Sequence, residues 1–314
     1  MAWLEITVDI HGSDMDSAAA ALTAAGFADL VLEDQQTFEA FLEDNRDYWD
    51  YIDEQLQQQL QGLCRIKLYL EDSDRTGMER LQQTLDRLGF SMEVAPMAET
   101  NWEESWKENY PAVEVGNAFA VVPYWLEDSA APGRLPVILD PGLTFGTGAH
   151  PSTQMVMEVM ENLVKPGHHC LDLGSGSGIL SIAALRLGAE SAVGVDVDPK
   201  AEDIARENAA YNGDCAERFT AFTGNVTTDH ALMEALSKRR YDFVFVNIVA
   251  GVIIHLAPIL PRFLDRGSIL ICSGILDNRL QDVRDALTAA GLRIADQRAK
   301  EDWRCITAYK EGLV

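Results

Sequence analysis

The sequence predicts an α/β chain: a doubly wound, mostly parallel sheet in its second half, preceded by a smaller α+β module. Three observations carry this. From about residue 150, short apolar runs alternate regularly with amphipathic helical stretches, the pattern of successive βαβ units. The first of those runs, HCLDLG at 169–174, ends in a glycine-rich turn that opens directly into a helix pattern. The first hundred residues interleave period-two strands with helices and contain no glycine-rich loop.

In the first module, WLEITVDI (residues 3–10) sets Leu4, Ile6, Val8 and Ile10 on one face of a strand. Ser13 stands where a cap belongs, a helix runs through DMDSAAAALTAAG, and Gly26 closes it. FADLVLED is a second strand. Residues 37–61, rich in Gln and Asp, form an exposed helical insert around YWDYIDEQLQQQLQ. CRIKLYLE (64–71) is a third strand, GMERLQQTLDRLGF a second amphipathic helix and SMEVAPMAE a fourth strand. The order βαβ, insert, βαβ is that of a ferredoxin-like module. Residues 101–125 form a connector whose helix places Trp102 and Trp106 on one face as a packing stripe. Pro132 and Gly133 mark a loop before LPVILDPG. The boundaries follow: 1–100 for the first module, 101–135 for the connector and 136–314 for the second domain.

In the second domain the strands are HCLDLG (169–174), SAVGVDV (191–197), FTAFTGN (219–225), YDFVFVNI (241–248) and GSILICSGI (267–275). Each is followed by a helix: SGILSIAALRLG, PKAEDIARENAAYNG with Pro199 near its start, DHALMEALS, GVIIHLAPILPRFL and LDNRLQDVRDALTAAG. The last stretch, LRIADQRAKEDWRCITAYK, reads as a hairpin that adds one antiparallel strand.

At 314 residues the chain has room for about two domains. Apolar residues make up 47% and charged residues 24%, which excludes a disordered or fibrous chain. No apolar run reaches the roughly 18–20 residues of a membrane span. The start, MAWLEITVDIHGSDMDS, lacks the basic region and apolar core of a signal peptide. Five scattered cysteines without a CxxC pair argue against a disulfide framework or a zinc site, and the expected setting is a reducing cytoplasm. The formal net charge is −25, and residues 1–110 alone hold 24 acidic and 7 basic side chains. Such a chain is a poor ligand for naked nucleic acid, whose phosphates need Lys and Arg. An acidic first third attracts a basic partner instead; plain solubility is the alternative.

Three loops carry chemistry. The first is LDLGSGSGIL, Leu171 to Leu180, in which Gly174, Gly176 and Gly178 allow a tight turn and close backbone approach to a ligand. Eighteen residues past Gly178, Asp196 ends the next strand, where a carboxylate accepts hydrogen bonds from both ribose hydroxyls of an adenosine group. The dinucleotide fingerprint G-x-G-x-x-G fails, because Ile179 occupies its third glycine slot. Asp172 instead stands two residues before Gly174, an acid expected to contact a cationic cofactor near the loop. The resulting D-x-G-x-G-x-G resembles the loop of S-adenosylmethionine (SAM) methyltransferases, whose cofactor is cationic and has no pyrophosphate. The second loop, LDPGLTFGTGAHPSTQ (139–154), can lie across such a cofactor with Phe145 and Thr153 as contacts, or serve as a linker. His150 within it is read as ordering its own loop rather than accepting a proton. The third is VNIVAG, where Asn247 ends a buried strand and offers an amide to hold an amine, or merely starts a turn. Asn-Ile-Val-Ala replaces the Asn/Asp-Pro-Pro-aromatic run of nucleobase and glutamine methyltransferases, which weighs against those substrates.

LDPGLTFGTGAHPST, LDLGSGSGILSIAALRLGA, VGVDVDP, VNIVAG and SGIL together resemble the PrmA family, the methyltransferases of large-subunit ribosomal protein L11, over roughly residues 100–310. The resemblance implies a class I SAM-dependent methyltransferase, Rossmann-like and doubly wound, with the ferredoxin-like residues 1–100 as its substrate-recognition module. It implies SAM as cofactor, with contacts at Thr153, Gly174, Asp196 and Asn247, and no metal. It implies methylation of lysine side chains and the N-terminal amine of one basic ribosomal protein, Asn247 acting at the amine. The Gln/Asp-rich insert departs from the family pattern. Two alternatives stay open: a class I methyltransferase acting on another protein amine or a small metabolite, and a non-catalytic adaptor.

Overall fold

The computed structural model describes residues 3–10, 14–35, 62–97, 107, 110–129, 131–141 and 148–310. The expected Gln/Asp-rich insert, the cap Ser13, the tryptophan pair Trp102 and Trp106, and Phe145 lie outside the described residues. The chain divides into two compact units, residues 1–109 and 110–314.

The first unit contains β1 (Trp3–Asp9), α1 (Met15–Ala24), β2 (Val31–Asp34), β3 (Cys64–Glu71), α2 (Arg75–Leu88) and β4 (Met92–Met97). Its strands pair antiparallel in the order β2-β3-β1-β4, the ferredoxin-like arrangement. Period two decides the faces: Ile6 and Val8 of β1 join Ile66 and Leu68 of β3 in a core closed by Leu22, Leu81 and Leu85 of the helices. Asp74 caps α2 by accepting from Gly77 N at 2.8 Å, and Gly89 ends it at φ +79°.

The second unit is built on seven strands: β8 (His169–Leu173), β9 (Ser191–Asp196), β10 (Phe219–Thr223), β11 (Tyr241–Asn247), β12 (Leu264–Leu276), β13 (Leu292–Lys300) and β14 (Trp303–Lys310). Their order is β10-β9-β8-β11-β12-β14-β13, parallel from β10 to β12, with β14 antiparallel to both of its neighbours. Helices cover both faces. Phe243 and Phe245 of β11 join the core of α3 (Pro151–Leu163), α4 (Ile179–Arg186) and α5 (Pro199–Tyr211). Val244 and Val246, pointing the other way, join that of α7 (His230–Ser237), α8 (Ala250–Leu256) and α9 (Leu280–Ala289); α6 (Cys215–Arg218) is a single turn.

A second, three-stranded sheet precedes these elements: β5 (Val113–Val115), β6 (Phe119–Pro123) and β7 (Leu135–Leu139), in that order. Much of it falls in residues 101–135, expected to be a connector. From Val113 onward that segment is packed into the second unit, because Val115, Phe119, Val121, Val137 and Leu139 share one core with Met155 and Ile179. Glu161 on α3 fastens it by accepting from Asn117 N at 2.8 Å and Ala118 N at 2.9 Å. No helix among the described residues is long and apolar enough to cross a membrane.

Candidate active site

Strands β8 and β11 lie side by side, with Phe245 paired to Asp172. The chain leaves β8 toward β9 and leaves β11 toward β12, on opposite sides. Their loops diverge and open a crevice at the carboxyl ends of the strands, the place where open α/β sheets bind ligands. The glycine loop and Asn247 form its two walls.

The loop needs its glycines. Gly174, Gly176 and Gly178 have φ of +79°, +49° and +79°, a region that side chains rarely adopt. Gly174 N and Ser175 N both donate to Val195 O, at 2.8 and 3.1 Å, which ties the turn to β9. Asp196 completes the tie: its Oδ2 accepts from Gly176 N at 2.8 Å and its Oδ1 from Asp198 N at 3.0 Å. The expected ribose acceptor is therefore half-buried and held in orientation by the loop it serves.

On the other wall, Asn247 Nδ2 donates to Thr153 Oγ1 at 3.1 Å, bringing together two residues 94 positions apart that were both expected in the site. Asn247 Oδ1 is buried and has no hydrogen-bond partner. An unpaired buried acceptor costs about 1–3 kcal/mol, which makes this carbonyl a candidate partner for a ligand donor. Ile248, next in the chain, is held between two glycines. A Cβ on Gly174 would stand 2.4 Å from Ile248 Cγ2, and one on Gly274 would stand 2.4 Å from the Ile248 carbonyl oxygen. The glycine of SGIL thus lets the Asn247 loop close against β12.

Asp172 sits differently from the expectation that it contacts cofactor. It is 1% exposed and lies beneath the loop, where its Oδ2 accepts from Ser181 N at 3.3 Å and Ser181 Oγ at 3.0 Å. Gly178 at the start of α4 has no side chain to cap the helix, so Asp172 supplies that acceptor from the strand below. Burial pushes its carboxyl up to about 7, against the two Ser181 hydrogen bonds, and its Oδ1 has no partner. His150 caps α3, its Nδ1 accepting from Ser152 N at 3.3 Å and meeting Ser152 Oγ at 2.7 Å, and packs edge-on against Trp303. Desolvation holds its imidazole below the usual histidine range. His150 thus serves the start of α3 and packs against β14.

Three features escaped the sequence reading. Val197, directly after Asp196, is 66% exposed, an apolar platform beside the ribose acceptor. Its signal was available in VGVDVDP, an apolar residue following the strand-end acid. Gly224 N donates to Asp196 O at 2.8 Å, which ties the end of β10 to the strand-end acid. Asn208 on α5 and Asn212, which caps its C-terminus, are buried amides with no local signature.

The residues present fit SAM. A carboxylate awaits a sugar, an apolar side chain a base, glycine backbone permits close approach, and LDLGSGSGIL carries no basic side chain for a phosphate. The family model of ribosomal protein L11 methyltransferase (PrmA) matches residues 2–311. The chain is 33% identical over 323 residues to the ribosomal protein L11 methyltransferase of Heliobacterium modesticaldum, covering 100% of this chain and 99% of that one. It is 33% identical over 331 residues to that of Geobacillus kaustophilus, covering 99% and 100%. A solved ribosomal protein L11 methylase from Lactobacillus delbrueckii subsp. bulgaricus aligns over 65% of this chain and 100% of that chain, with a TM-score of 0.58 at 29% identity. The chain belongs to the ribosomal protein L11 methyltransferase (PrmA) family.

Proposed function

We propose that this protein transfers methyl groups from SAM to amines of ribosomal protein L11, its lysine side chains and N-terminal amino group, in the cytoplasm. The observation that carries the reading is the buried, unpartnered Asn247 carbonyl beside the glycine loop. Bound in the crevice, SAM supplies an electrophilic sulfonium methyl group and departs as the neutral thioether. The chain's own residues do the rest. Asp196 holds the ribose hydroxyls, Val197 covers one face of the base, and Gly174, Gly176 and Gly178 let the backbone approach. Asn247 Oδ1 accepts a hydrogen bond from the incoming amine and turns its lone pair toward the methyl carbon, while Thr153 fixes the amide from behind.

The amine must arrive neutral. A free lysine, with pKa near 10.4, is neutral in only about one molecule in 2,500 at pH 7. Burial against the apolar strand ends favours the neutral form. A carboxylate at the Asn247 position would instead stabilise the unreactive ammonium. Catalysis then rests on positioning.

The first unit serves as the recognition module for a basic substrate. Its sheet leaves Trp3, Tyr69 and Met97 exposed, and Glu5, opposite Tyr69, and Glu71, opposite Trp3, share that face. Raised ionic strength weakens substrate encounter and leaves SAM affinity almost unchanged; equal losses would remove the steering role. The function is tested by incubating the protein with labelled SAM and purified L11, then mapping methyl groups by mass spectrometry. Label on L11 amines is expected. SAM binding without any L11 methylation overturns the substrate assignment.

A further inference from the structure

Asn208 on α5 and Asn212, the residue that caps the helix's C-terminus, stand one turn apart and are 0% and 3% exposed. Both spend their amides on backbone. Asn208 Nδ2 donates to Ser177 O in the glycine loop at 2.8 Å, and its Oδ1 accepts from Asp140 N, just past the end of β7, also at 2.8 Å. Asn212 treats Ile138 as a neighbouring strand would: Oδ1 accepts from Ile138 N at 2.9 Å and Nδ2 donates to Ile138 O at 2.7 Å. The same Nδ2 reaches Asn208 O at 2.7 Å. Among the described residues, strand β7 is an edge, paired with β6 alone. Helix α5 closes that edge with side-chain amides where a sheet would use another strand.

The two amides have different reach. Asn212 joins α5 to β7 and to its own helix. Asn208 spans two backbone segments, the glycine loop between Gly176 and Gly178 and the chain leaving β7. We propose that Asn208 is a positioning residue for the cofactor site. It holds the glycine loop at a set distance from the end of β7, and SAM affinity depends on that distance, whereas Asn212 anchors β7 alone. The inference rests on the reading that SAM occupies the crevice.

Asn208→Asp preserves size and replaces the donor facing the Ser177 carbonyl with an acceptor. Asn212→Asp makes the same change at Ile138, away from the glycine loop. Each variant is assayed well below its melting temperature, for SAM binding by calorimetry and for KM and kcat. Asn208→Asp should raise Kd and KM for SAM about tenfold, with kcat within about threefold of the parent. Asn212→Asp should lower the melting temperature at least as far while changing SAM affinity less than about threefold. Parental SAM affinity in both variants, or an equal loss in both, overturns the proposal. A parent protein that binds no SAM would instead sink the cofactor reading. Should Asn208→Asp fail to fold, hydrogen exchange in the unmodified protein decides. Coupling is reciprocal, so SAM must slow exchange of the Asp140 amide, held by Asn208, more than that of the Ile138 amide, held by Asn212. Equal slowing overturns it.

Discussion

Alanine at Gly174 and alanine at Gly274 both strike Ile248, by different routes that a second substitution separates. A Cβ on Gly174 meets the Ile248 side chain, with Cγ2 at 2.4 Å. A Cβ on Gly274 meets Ile248 backbone: O at 2.4 Å, C at 2.9 Å and N at 3.0 Å. Both glycines have φ near +80° (+79° and +81°). Alanine there costs about 1–2 kcal/mol in backbone strain, and the overpacking adds about 1–3 kcal/mol. Each single variant should therefore lose about 2–5 kcal/mol of stability. Ile248→Ala deletes Cγ2 and no backbone atom. In a double-mutant cycle read by urea unfolding, Gly174→Ala and Ile248→Ala should couple by about 1–3 kcal/mol, the overpacking relieved. Gly274→Ala and Ile248→Ala should couple by less than about 0.5 kcal/mol. Asn247 precedes Ile248, so kcat in the Gly274→Ala double variant should stay depressed while that of the Gly174→Ala double partly recovers. Equal coupling in the two cycles refutes the account of Ile248 as a residue pinned from two sides.

Asp196→Ala removes the acceptor of Gly176 N and Asp198 N together with the proposed ribose contacts. A loss of about 3 kcal/mol, roughly 100-fold in SAM affinity by calorimetry, is expected, and an unchanged Kd refutes the ribose role. Asn247→Ala should lower kcat about 10–100-fold and change the SAM Kd less than about threefold, the reverse ranking refuting its place at the amine. Asn247→Asp should shift the pH–rate profile toward higher pH, because a carboxylate holds the amine as ammonium; an unmoved profile refutes the neutral-amine requirement. Asp172 binds its proton more tightly folded, at about 7 against 3.8. Its favourable contribution is thus full below about pH 3.8 and is lost as pH rises through about 7. Asp172→Asn, neutral throughout, should gain stability relative to the parent between about pH 4 and pH 8, and a pH-independent difference in melting temperature would show the carboxyl ionised in the folded protein.

The seven-stranded sheet was legible because buried parallel strands leave continuous apolar runs, such as FVFV of β11, cut off by turn residues. The three-stranded sheet was not. VEV is three residues long, and FAVVP, though a continuous apolar run, ends in a proline and, among the described residues, is followed by no α-helix that would mark a βαβ unit. The far edge of β7 is closed by Asn212, 74 residues from Ile138, a contact that no local pattern encodes. The site divides along the same line. Gly174, Asp196, Thr153 and Asn247 carry their chemistry in residue type and spacing. Asp172 carried the right type, but Ser181 claims its carboxylate from inside the following helix, and only the fold reveals which group that acid serves.

That displacement of Asp172 bears on how one crevice serves a cationic donor and a nucleophile that must be uncharged. Negative charge near the sulfonium is favourable; the same charge at the amine would hold the ammonium and stop the reaction. The proposed function assigns the two demands to different residues. Asp196, the proposed ribose acceptor, is held by Gly176 N and Asp198 N, and Asp172 is enclosed below the loop, where burial raises its carboxyl. At the end of β11, where the proposed function brings the amine, the amide of Asn247 and the hydroxyl of Thr153 are both uncharged. The attraction a basic substrate needs must then come from elsewhere. On the proposed function, the 24 acidic and 7 basic side chains of residues 1–110 supply that attraction. A carboxylate placed at the reacting amine would strengthen encounter and weaken chemistry together, which favours the uncharged amide of Asn247 at that position.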